Sequence, residues 1–347
     1  MQPTAVYADL NGEIFDAPGY RAVASDGMCD RLLQAEDMIP LPAGADLMLL
    51  PGRSALVAQK AEIAPLASAL LAVAAALPVG YTRTLLPSYR TQPAAPVLPL
   101  YGYAAVAVYK GRMHVSAIKT DNNEKWHPHR YNTAGLAKKV AKVKAALAGN
   151  RLVEHLAHCS LTWHCCTAQN LFYHRWEAGI PVSPVCNANC LGCISLQPAE
   201  CCSSPQSRIN FTPAVAEVAA IGRYHLTTAP EPIISFGQGC EGEPSLAADT
   251  IAAAIAEIRS ATGRGAININ TNAGFSAGIK DIVKAGLDSM RVSMISARQE
   301  VHSAYYRANY TLDDVRESIR QAKANEVYVS INMLSLPGLN DRPEEIA

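Results

Sequence analysis

The sequence predicts an α/β chain in which a β-rich α+β domain precedes a partial (β/α) barrel of about five strands. Two observations support this fold class. Beyond residue 181, short apolar runs alternate with helical segments, a pattern typical of parallel sheets with right-handed crossovers. Before residue 125, turn signals separate short runs of alternating residues, a pattern typical of antiparallel hairpins. We therefore divide the chain into residues 1–125, a helical connector at 126–180, and the barrel at 181–347.

The N-terminal domain, residues 1–125, contains two predicted hairpins and one predicted helix. Asn11-Gly12 and Lys110-Gly111 supply the turn signals of the two hairpins. The alanine-rich run at 63–77 ends at Pro78, and this composition predicts a buried helix. The run is too short to span a membrane, which needs ~20 residues. No motif here indicates a chemical site, so the sequence leaves the role of this domain open.

The connector, residues 126–180, combines a basic helix with a block of cysteines and histidines. Leu136, Val140 and Val143 fall at helical spacing with lysines on the other faces, and we interpret those lysines as a solvated surface. The block that follows is compatible with a second metal site or with ordinary packing of buried side chains. Its members are His155, His158, Cys159, His164, Cys165, Cys166 and His174, and further ligands would come from Cys201, Cys202 or Cys240.

The barrel region contains five predicted strands separated by helices. Thr212-Pro213 starts the first helix, Ser276 caps a later one, and Thr311 with Asp314 resembles a capping box. A further helix begins just before the last residue, so either the sequence is truncated or the barrel is short by one unit. We favour truncation, because an unpaired strand edge beside a buried site is costly. The predicted strands are 181–185, 232–236, 266–270, 290–294 and 327–336, and the predicted helices are 212–224, 246–260, 276–286 and 311–324.

Composition excludes several classes of function. Of the 347 residues, 49% are hydrophobic, which allows a large core. The formal net charge is zero, so no global attraction to nucleic acid or to an anionic membrane is expected. Ten cysteines without a secretory leader indicate a reduced, cytoplasmic protein that uses thiolates as ligands.

Three cysteines in the spacing C-x3-C-x2-C directly follow the first predicted strand. Cys186, Cys190 and Cys193 can hold three irons of a cubic iron–sulfur cluster and leave the fourth iron without a protein ligand. Ferredoxins that only carry electrons usually supply four cysteines, so an open corner indicates that the iron binds a small molecule. A zinc site would favour a matching second pair of ligands, and a disulfide would leave one cysteine over.

This motif resembles the signature of the radical S-adenosylmethionine (SAM) superfamily, in which the three cysteines follow the first strand of a partial barrel. Gly192 stands where that family often has an aromatic residue. After the second predicted strand, the run from Glu241 to Pro244 resembles the family's Gly-Gly-Glu-Pro motif, with Glu241 in place of the first glycine.

The resemblance implies a set of ligand-binding residues at the ends of successive strands. Gly242 and Glu243 would bind the amino group of SAM, where a bare backbone and a carboxylate suit an ammonium. Ser293 matches a ribose-contacting position, and Arg307 resembles an arginine that pairs with the methionine carboxylate. The remaining implied positions are Asn270 and Asn272 after the third strand, and the turn at 337–341 beside the adenine.

The resemblance also implies an activity and its cofactors. The implied cofactors are a 4Fe-4S cluster and SAM. The implied activity is the reductive cleavage of SAM to a 5′-deoxyadenosyl radical, which abstracts hydrogen from an unknown substrate. The enzyme would be oxygen-sensitive and would depend on a small electron donor of the flavodoxin or ferredoxin type. Two alternatives stay open: a peptide- or RNA-modifying radical SAM enzyme with an auxiliary metal cluster, and an iron–sulfur electron-transfer module without SAM chemistry.

Overall fold

A computed structural model describes residues 2–60, 62–67, 69–99, 101–196, 206–336 and 339–343. Internal contacts divide the chain into two compact units. The N-terminal unit is built on Met1–Arg130, and Leu336–Ile346 groups with it. The C-terminal unit is built on Tyr131–Gln197 and Ser204–Ser335. Of the predicted connector, 126–180, residues 131–180 thus share a unit with the strands that follow them, whereas residues 126–130 belong to the N-terminal unit.

The N-terminal unit consists mainly of antiparallel strands. Within its described residues, eleven strands form one sheet with the main order β10-β5-β2-β1-β7-β11-β12-β4, and β13 pairs with β8 in a second sheet. The strands are β1 (Thr4–Ala8), β2 (Ile14–Ser25), β3 (Asp30–Leu32), β4 (Ile39–Pro40), β5 (Asp46–Gln59), β6 (Glu62–Pro65), β7 (Leu71–Ala76), β8 (Tyr81–Arg83), β9 (Leu86–Pro87), β10 (Tyr89–Thr91), β11 (Ala104–Tyr109), β12 (Arg112–Val115) and β13 (Ala117–Lys119). Short 3-10 helices span Ala35–Asp37, Glu124–Trp126 and Pro128–Arg130.

The strand pairing confirms both predicted hairpins. Tyr7 pairs with Phe15 across the Asn11-Gly12 turn, and Val108 pairs with Met113 across the Lys110-Gly111 turn.

The helix predicted at 63–77 is wrong, because β6 and β7 occupy this run. β7 is an interior strand that pairs with β1, β5 and β11. Residues 72–75 are buried, and small alanine side chains allow close packing on both faces of the sheet. Tertiary packing therefore overrides the intrinsic helix preference of alanine.

The C-terminal unit has a parallel sheet in the order β14-β15-β16-β17-β18, with helices between its strands. Its mixed α/β character matches the predicted fold class. The strands are β14 (Glu177–Gly179), β15 (Ile233–Phe236), β16 (Ala266–Thr271), β17 (Ser289–Met294) and β18 (Tyr328–Met333). The helices are α1 (Leu136–Ala146), α2 (Arg151–Leu161), α3 (Cys166–Tyr173), α4 (Val215–Thr228), α5 (Ala248–Ala261), α6 (Ser276–Lys284), α7 (Gln299–Tyr306) and α8 (Leu312–Ala324), and a 3-10 helix spans Pro244–Ala247.

Four of the five predicted strands are confirmed, but the first one is misplaced. The first strand of the sheet is β14, and residues 181–185 form no ladder with it. Pro181 and Pro184 have no N–H group, which makes this segment a poor ladder partner. Helix α7 was not predicted. The predicted capping box of α8 is present, since the Thr311 amide donates to the Asp314 carboxylate at 2.8 Å.

One apolar core joins the parallel sheet to helices α1, α2 and α3. Leu152, Phe172 and Ile180 are fully buried together with Ile234 and Ile267 of the sheet. Leu136, Val140 and Val143 of α1 are buried, while three of its four lysines are exposed, as the helical spacing predicted. Within the described residues, no helix has the length and apolar character needed to cross a bilayer.

Candidate functional site

The loops at the carboxyl ends of the parallel strands line a cavity of about 460 Å³. This volume lies in the range typical of small-molecule sites. Most of the predicted site residues meet at this cavity, although they come from four separate segments of the chain. They are Cys186, Cys190, Cys193, Gly242, Glu243, Asn270, Asn272 and Ser293.

Arg307 is not brought to the cavity. It follows the last turn of α7 in the left-handed conformation, with φ of 47°, and it is exposed. The cavity lining contains Tyr305 and Tyr306 from this segment instead. Of the predicted adenine turn, Pro337 and Gly338 lie outside the described residues.

The loop that carries the three cysteines is held by the end of α7. The amide of Asn189 donates to the carbonyl of Tyr306 at 2.9 Å, and the amide of Leu191 donates to that of Tyr305 at 3.0 Å. The side chain of Asn272 donates to the side chain of Asn187 at 2.7 Å. These bonds fix the loop without burying its cysteines, all three of which are half-buried.

The three thiols differ in their electrostatic surroundings. Burial raises the pKa of Cys186, and it raises the pKa of Cys190 to about 12. At Cys193 burial also opposes ionisation. The hydrogen bonds with Ser195 and the positive charge of the nearby Arg208 outweigh the effect of burial, so the pKa of Cys193 is lowered. The Arg208 guanidinium lies 3.6 Å from the Cys193 sulfur and donates to the Ser195 hydroxyl at 2.6 Å. Sequence reasoning missed Arg208, because no local pattern connects it to the motif.

The arrangement of the three sulfurs suits a cluster better than a single metal ion. In a tetrahedral zinc site with zinc–sulfur bonds of ~2.3 Å, the ligand sulfurs lie about 3.8 Å apart. The three sulfurs do not form a group within 4.8 Å of one another; within the described residues, only His155, Cys159 and Cys240 do so. Three thiols that line one cavity without all lying within 4.8 Å of one another fit a cubic cluster, in which each thiolate binds its own iron.

Glu241 is a buried carboxylate that joins two segments of the site. It accepts hydrogen bonds from the amides of Val182 and Ser183 at 2.7 and 3.0 Å, and from those of Gly237 and Gln238 at 2.6 and 2.8 Å. Burial raises its pKa to about 7, while the four amide bonds act in the opposite direction. The residue that replaces the first glycine of the motif therefore holds segment 181–185 in place of a strand ladder.

Gly242 is required by close backbone contact. Its amide donates to the carbonyl of Ser183 at 2.7 Å, and the next amide, that of Glu243, donates to the carbonyl of Val185 at 2.9 Å. A Cβ atom at position 242 would lie 1.9 Å from the Val185 carbonyl oxygen, which is closer than any side chain tolerates. Only glycine allows this approach.

Glu243 uses its carboxylate within the protein. Its oxygens accept from the Thr271 hydroxyl at 2.5 Å, the Asn272 amide at 2.9 Å and the Ser245 amide at 3.0 Å. The group is buried, and burial raises its pKa. The carboxylate thus connects the turn after β15 to the turn after β16.

The two predicted asparagines also brace loops, whereas Ser293 stays available. Asn270 donates to the carbonyl of Gly237 at 3.1 Å, and Asn272 contacts the cysteine loop as described above. Ser293 is half-buried on β17, and its hydroxyl has no hydrogen-bond partner among the described residues. It pairs with Asn332 of β18, which also lines the cavity.

Comparison with known proteins identifies the class. Residues 180–347 match the model of the radical SAM superfamily, so the C-terminal part of this chain belongs to that superfamily. This confirms the family that the cysteine motif predicted. Members of this superfamily use a 4Fe-4S cluster and SAM. No curated protein matches the chain.

Two solved structures resemble parts of the chain. One, of native anSMEcpe with bound AdoMet, has 18% identity and a TM-score of 0.35 over 45% of this chain and 43% of that chain. The other, of HydG, a maturase of the FeFe hydrogenase, has 13% identity and a TM-score of 0.33 over 59% of this chain and 50% of that chain. The chain therefore spans half or less of the length of each.

Proposed function

We propose that this chain is a radical SAM enzyme in which Cys186, Cys190 and Cys193 bind a 4Fe-4S cluster and the cavity binds SAM. One observation carries the proposal: the three cysteines and the turn at Gly242 and Glu243 line the same cavity. These two motifs are about 50 residues apart in sequence, so the fold brings them together, as a shared ligand requires.

The chemistry would come from the bound cofactors. When bound, they supply reductive cleavage of SAM to methionine and a 5′-deoxyadenosyl radical, which abstracts hydrogen from a substrate. The protein's own contribution is three thiolates for three irons, so that one iron corner has no protein ligand. The donor set supports this, because no fourth cysteine is found in the cavity lining among the described residues.

Several residues position the ligand in this proposal. Gly242 leaves bare backbone that an ammonium group can approach closely, and the carboxylates of Glu241 and Glu243 hold that backbone in place. The Ser293 hydroxyl can both donate to and accept from a ribose hydroxyl. The Arg208 guanidinium lies at the cavity wall and can pair with a carboxylate of the ligand. Arg307, which was predicted for this role, does not line the cavity.

We further propose that the parallel sheet is curved as a partial barrel. The Arg291 guanidinium on β17 lies 2.9 Å from the Glu177 carboxylate on β14, and the strands β15 and β16 separate these two. Neighbouring strands lie ~4.8 Å apart, so in a flat sheet β14 and β17 would be separated by about 14 Å. Side chains stand roughly perpendicular to a sheet, so an ion pair across two intervening strands supports an inward curve with the cavity at its mouth.

The test is anaerobic reconstitution with iron and sulfide, followed by reduction in the presence of SAM. We expect formation of 5′-deoxyadenosine, measured by mass spectrometry, and we expect a flavodoxin- or ferredoxin-type donor to replace the chemical reductant. Replacing Cys186, Cys190 and Cys193 with alanine should abolish both the cluster and the product. Cys29→Ala, at an exposed cysteine of the N-terminal unit, is the matched control and should retain both.

The same experiment separates the proposal from its rival. A protein that binds a reducible cluster but forms no 5′-deoxyadenosine would contradict the SAM chemistry and would favour an iron–sulfur electron-transfer module.

A further inference from the structure

A second group of metal-ligating side chains lies within the C-terminal unit, apart from the three cysteines of the cavity. His155 and Cys159 are four residues apart on α2, so they share one face of the helix. Cys240 lies in the turn after β15. The ligand atoms of these three residues lie within 4.8 Å of one another, and the Cys159 sulfur lies 3.6 Å from Nε2 of His155.

The geometry of this group fits a tetrahedral zinc ion. With zinc–sulfur bonds of ~2.3 Å and zinc–nitrogen bonds of ~2.0–2.1 Å, a thiolate and an imidazole on one ion lie about 3.6 Å apart. The measured sulfur–nitrogen separation has this value. The two cysteines are buried, with exposed fractions of 1% and 7%, whereas His155 is half-buried. An ion can therefore enter from the histidine side, and water can fill the fourth position.

The other members of the cysteine and histidine block do not join this group. Nδ1 of His164 donates to the side-chain oxygen of Asn132 at 3.0 Å, and the His158 ring contacts the Thr162 hydroxyl at 3.2 Å. Cys166 is exposed at the start of α3. Cys201 and Cys202 lie outside the described residues. Within the described residues, folding thus selects three ligands out of a larger block, two of them from one helix face.

We propose that His155, Cys159 and Cys240 bind a zinc ion, at a site separate from the cavity. Cysteine sulfur and histidine nitrogen are the ligands that zinc prefers in proteins. The ion would join α2 to the turn after β15, which are some 80 residues apart in sequence, and would hold that turn through Cys240, which is not among the residues that line the cavity.

A zinc ion bound to Cys240 would stabilise the turn that carries Glu241 and Gly242. Cys240 is the neighbour of Glu241, whose carboxylate binds segment 181–185, and it lies two residues before Gly242. The zinc ion would thereby hold the SAM-binding turn in place, a consequence that rests on the function proposed above. Zinc binding itself does not depend on that function.

The test uses the full chain with Cys186, Cys190 and Cys193 replaced by alanine, so that the cavity cannot compete for metal. Metal-free protein is titrated with Co²⁺ and then with Zn²⁺. We expect one Co²⁺ per chain with thiolate-to-cobalt charge-transfer absorption and tetrahedral d–d bands, and we expect Zn²⁺ to displace it.

Three further variants in this background assign the ligands. Cys240→Ser should weaken cobalt binding and leave only the charge-transfer absorption of the remaining thiolate, Cys159, whereas Cys166→Ser, at an exposed cysteine outside the group, should leave both affinity and absorption unchanged. Because Cys240 is buried and its variant can misfold, His155→Gln provides an independent test at a half-buried position. It should weaken zinc binding by more than about 10-fold, since loss of a residue that only hydrogen-bonds to a metal ligand already costs that much. Circular dichroism checks that it remains folded.

Two results would overturn the proposal. One is a metal-free protein that takes up Co²⁺ without thiolate absorption, and the other is a folded His155→Gln variant with unchanged zinc affinity. Neither result bears on SAM cleavage, which is measured in the protein that retains all three cavity cysteines. Failure of this proposal and failure of the proposed function are therefore distinguishable.

Discussion

The C-terminal unit contains two groups of metal-ligating residues that differ in both sequence and space. Cys186, Cys190 and Cys193 lie within eight consecutive residues and line one cavity, yet their sulfurs do not all lie within 4.8 Å of one another. His155, Cys159 and Cys240 come from distant segments, yet their ligand atoms lie within 4.8 Å of one another. Separated sulfurs suit a cluster of several irons, and clustered donors suit one ion. Closeness in sequence therefore does not indicate closeness of ligand atoms.

The two groups meet at one short turn, residues 237–244. Cys240 belongs to the second group, while Gly242 and Glu243 line the cavity of the first. Changes at different positions in this turn are therefore expected to affect one group more than the other. The predictions below use this difference, from the largest expected effect to the smallest.

Gly242→Ala should have the largest effect, because the new Cβ would lie 1.9 Å from the Val185 carbonyl oxygen. The backbone of the turn must move, and we expect the free energy of unfolding to fall by about 3 kcal/mol. Denaturant unfolding measures the loss, and iron content after reconstitution reports the cavity. Gly263→Ala, where a Cβ would meet nothing within 4 Å, should stay within ~0.5 kcal/mol of wild type. Equal stability of the two variants would contradict the close contact.

Glu243→Gln should damage the cavity side of the turn and spare the second group. An amide supplies only one acceptor oxygen, so either the Asn272 amide or the Thr271 and Ser245 donors lose their partner. We expect a loss of about 2 to 3 kcal/mol in unfolding free energy, with zinc affinity unchanged.

Glu257→Gln is the control for this change. Its carboxylate pairs with Arg223 at the surface, where both side chains are about 40% exposed, so at most ~1 kcal/mol is expected. If Glu243→Gln cost no more than this control, the buried carboxylate would have no bracing role.

His225 provides a buried histidine that belongs to neither group. It lies on α4, its ring contacts the carbonyl of Trp176 at 2.6 Å, and burial lowers its pKa from 6.5 to about 4. Because the folded state holds the ring neutral, its stabilising contribution is present above pH 6.5 and is lost as the pH falls toward 4. Between pH 7 and pH 5, we expect this residue to account for about 2 kcal/mol of lost stability.

The pH dependence of His225→Gln isolates this contribution from that of the other titrating groups. The glutamine amide can still donate to the Trp176 carbonyl but does not titrate in this range. The acid-induced loss should therefore be about 2 kcal/mol smaller in the variant than in wild type, as measured by denaturant unfolding at both pH values. Identical pH profiles would show that the ring is accessible to protons in the folded state.

The sequence predicted the features that depend on local chain geometry. The cysteine motif, the strands from β15 onward and the capping box at Thr311 all follow from spacings within one segment, and the family match supports the first of them. The hairpin at Asn11-Gly12 is equally local. Each of these signals is contained in a few consecutive residues.

The features that sequence reasoning missed depend on contacts between distant segments. The run at 71–76 is a strand because three neighbouring strands pair with it, and its own alanines favour a helix. Segment 181–185 is held by the Glu241 carboxylate some 60 residues later, and no local pattern announces that bond. Arg307 was expected at the cavity because it resembles an arginine of the family that pairs with the methionine carboxylate, but the structure places it on an exposed turn.

Arg208→Gln should give the smallest effect, and it concerns the cavity group alone. The Arg208 guanidinium lies 3.6 Å from the Cys193 sulfur, and a positive charge there stabilises the reduced, more negative form of a bound cluster. Its removal should therefore lower the reduction potential, by about 50 mV, which corresponds to about 1.2 kcal/mol for one electron. Spectroscopic redox titration measures the shift. Arg208→Lys should recover most of it, and Arg307→Gln, at the exposed end of α7, should leave the potential unchanged. Equal shifts for Arg208→Gln and Arg307→Gln would mean that the potential reports net charge alone, and the contact with Cys193 would then have no specific role.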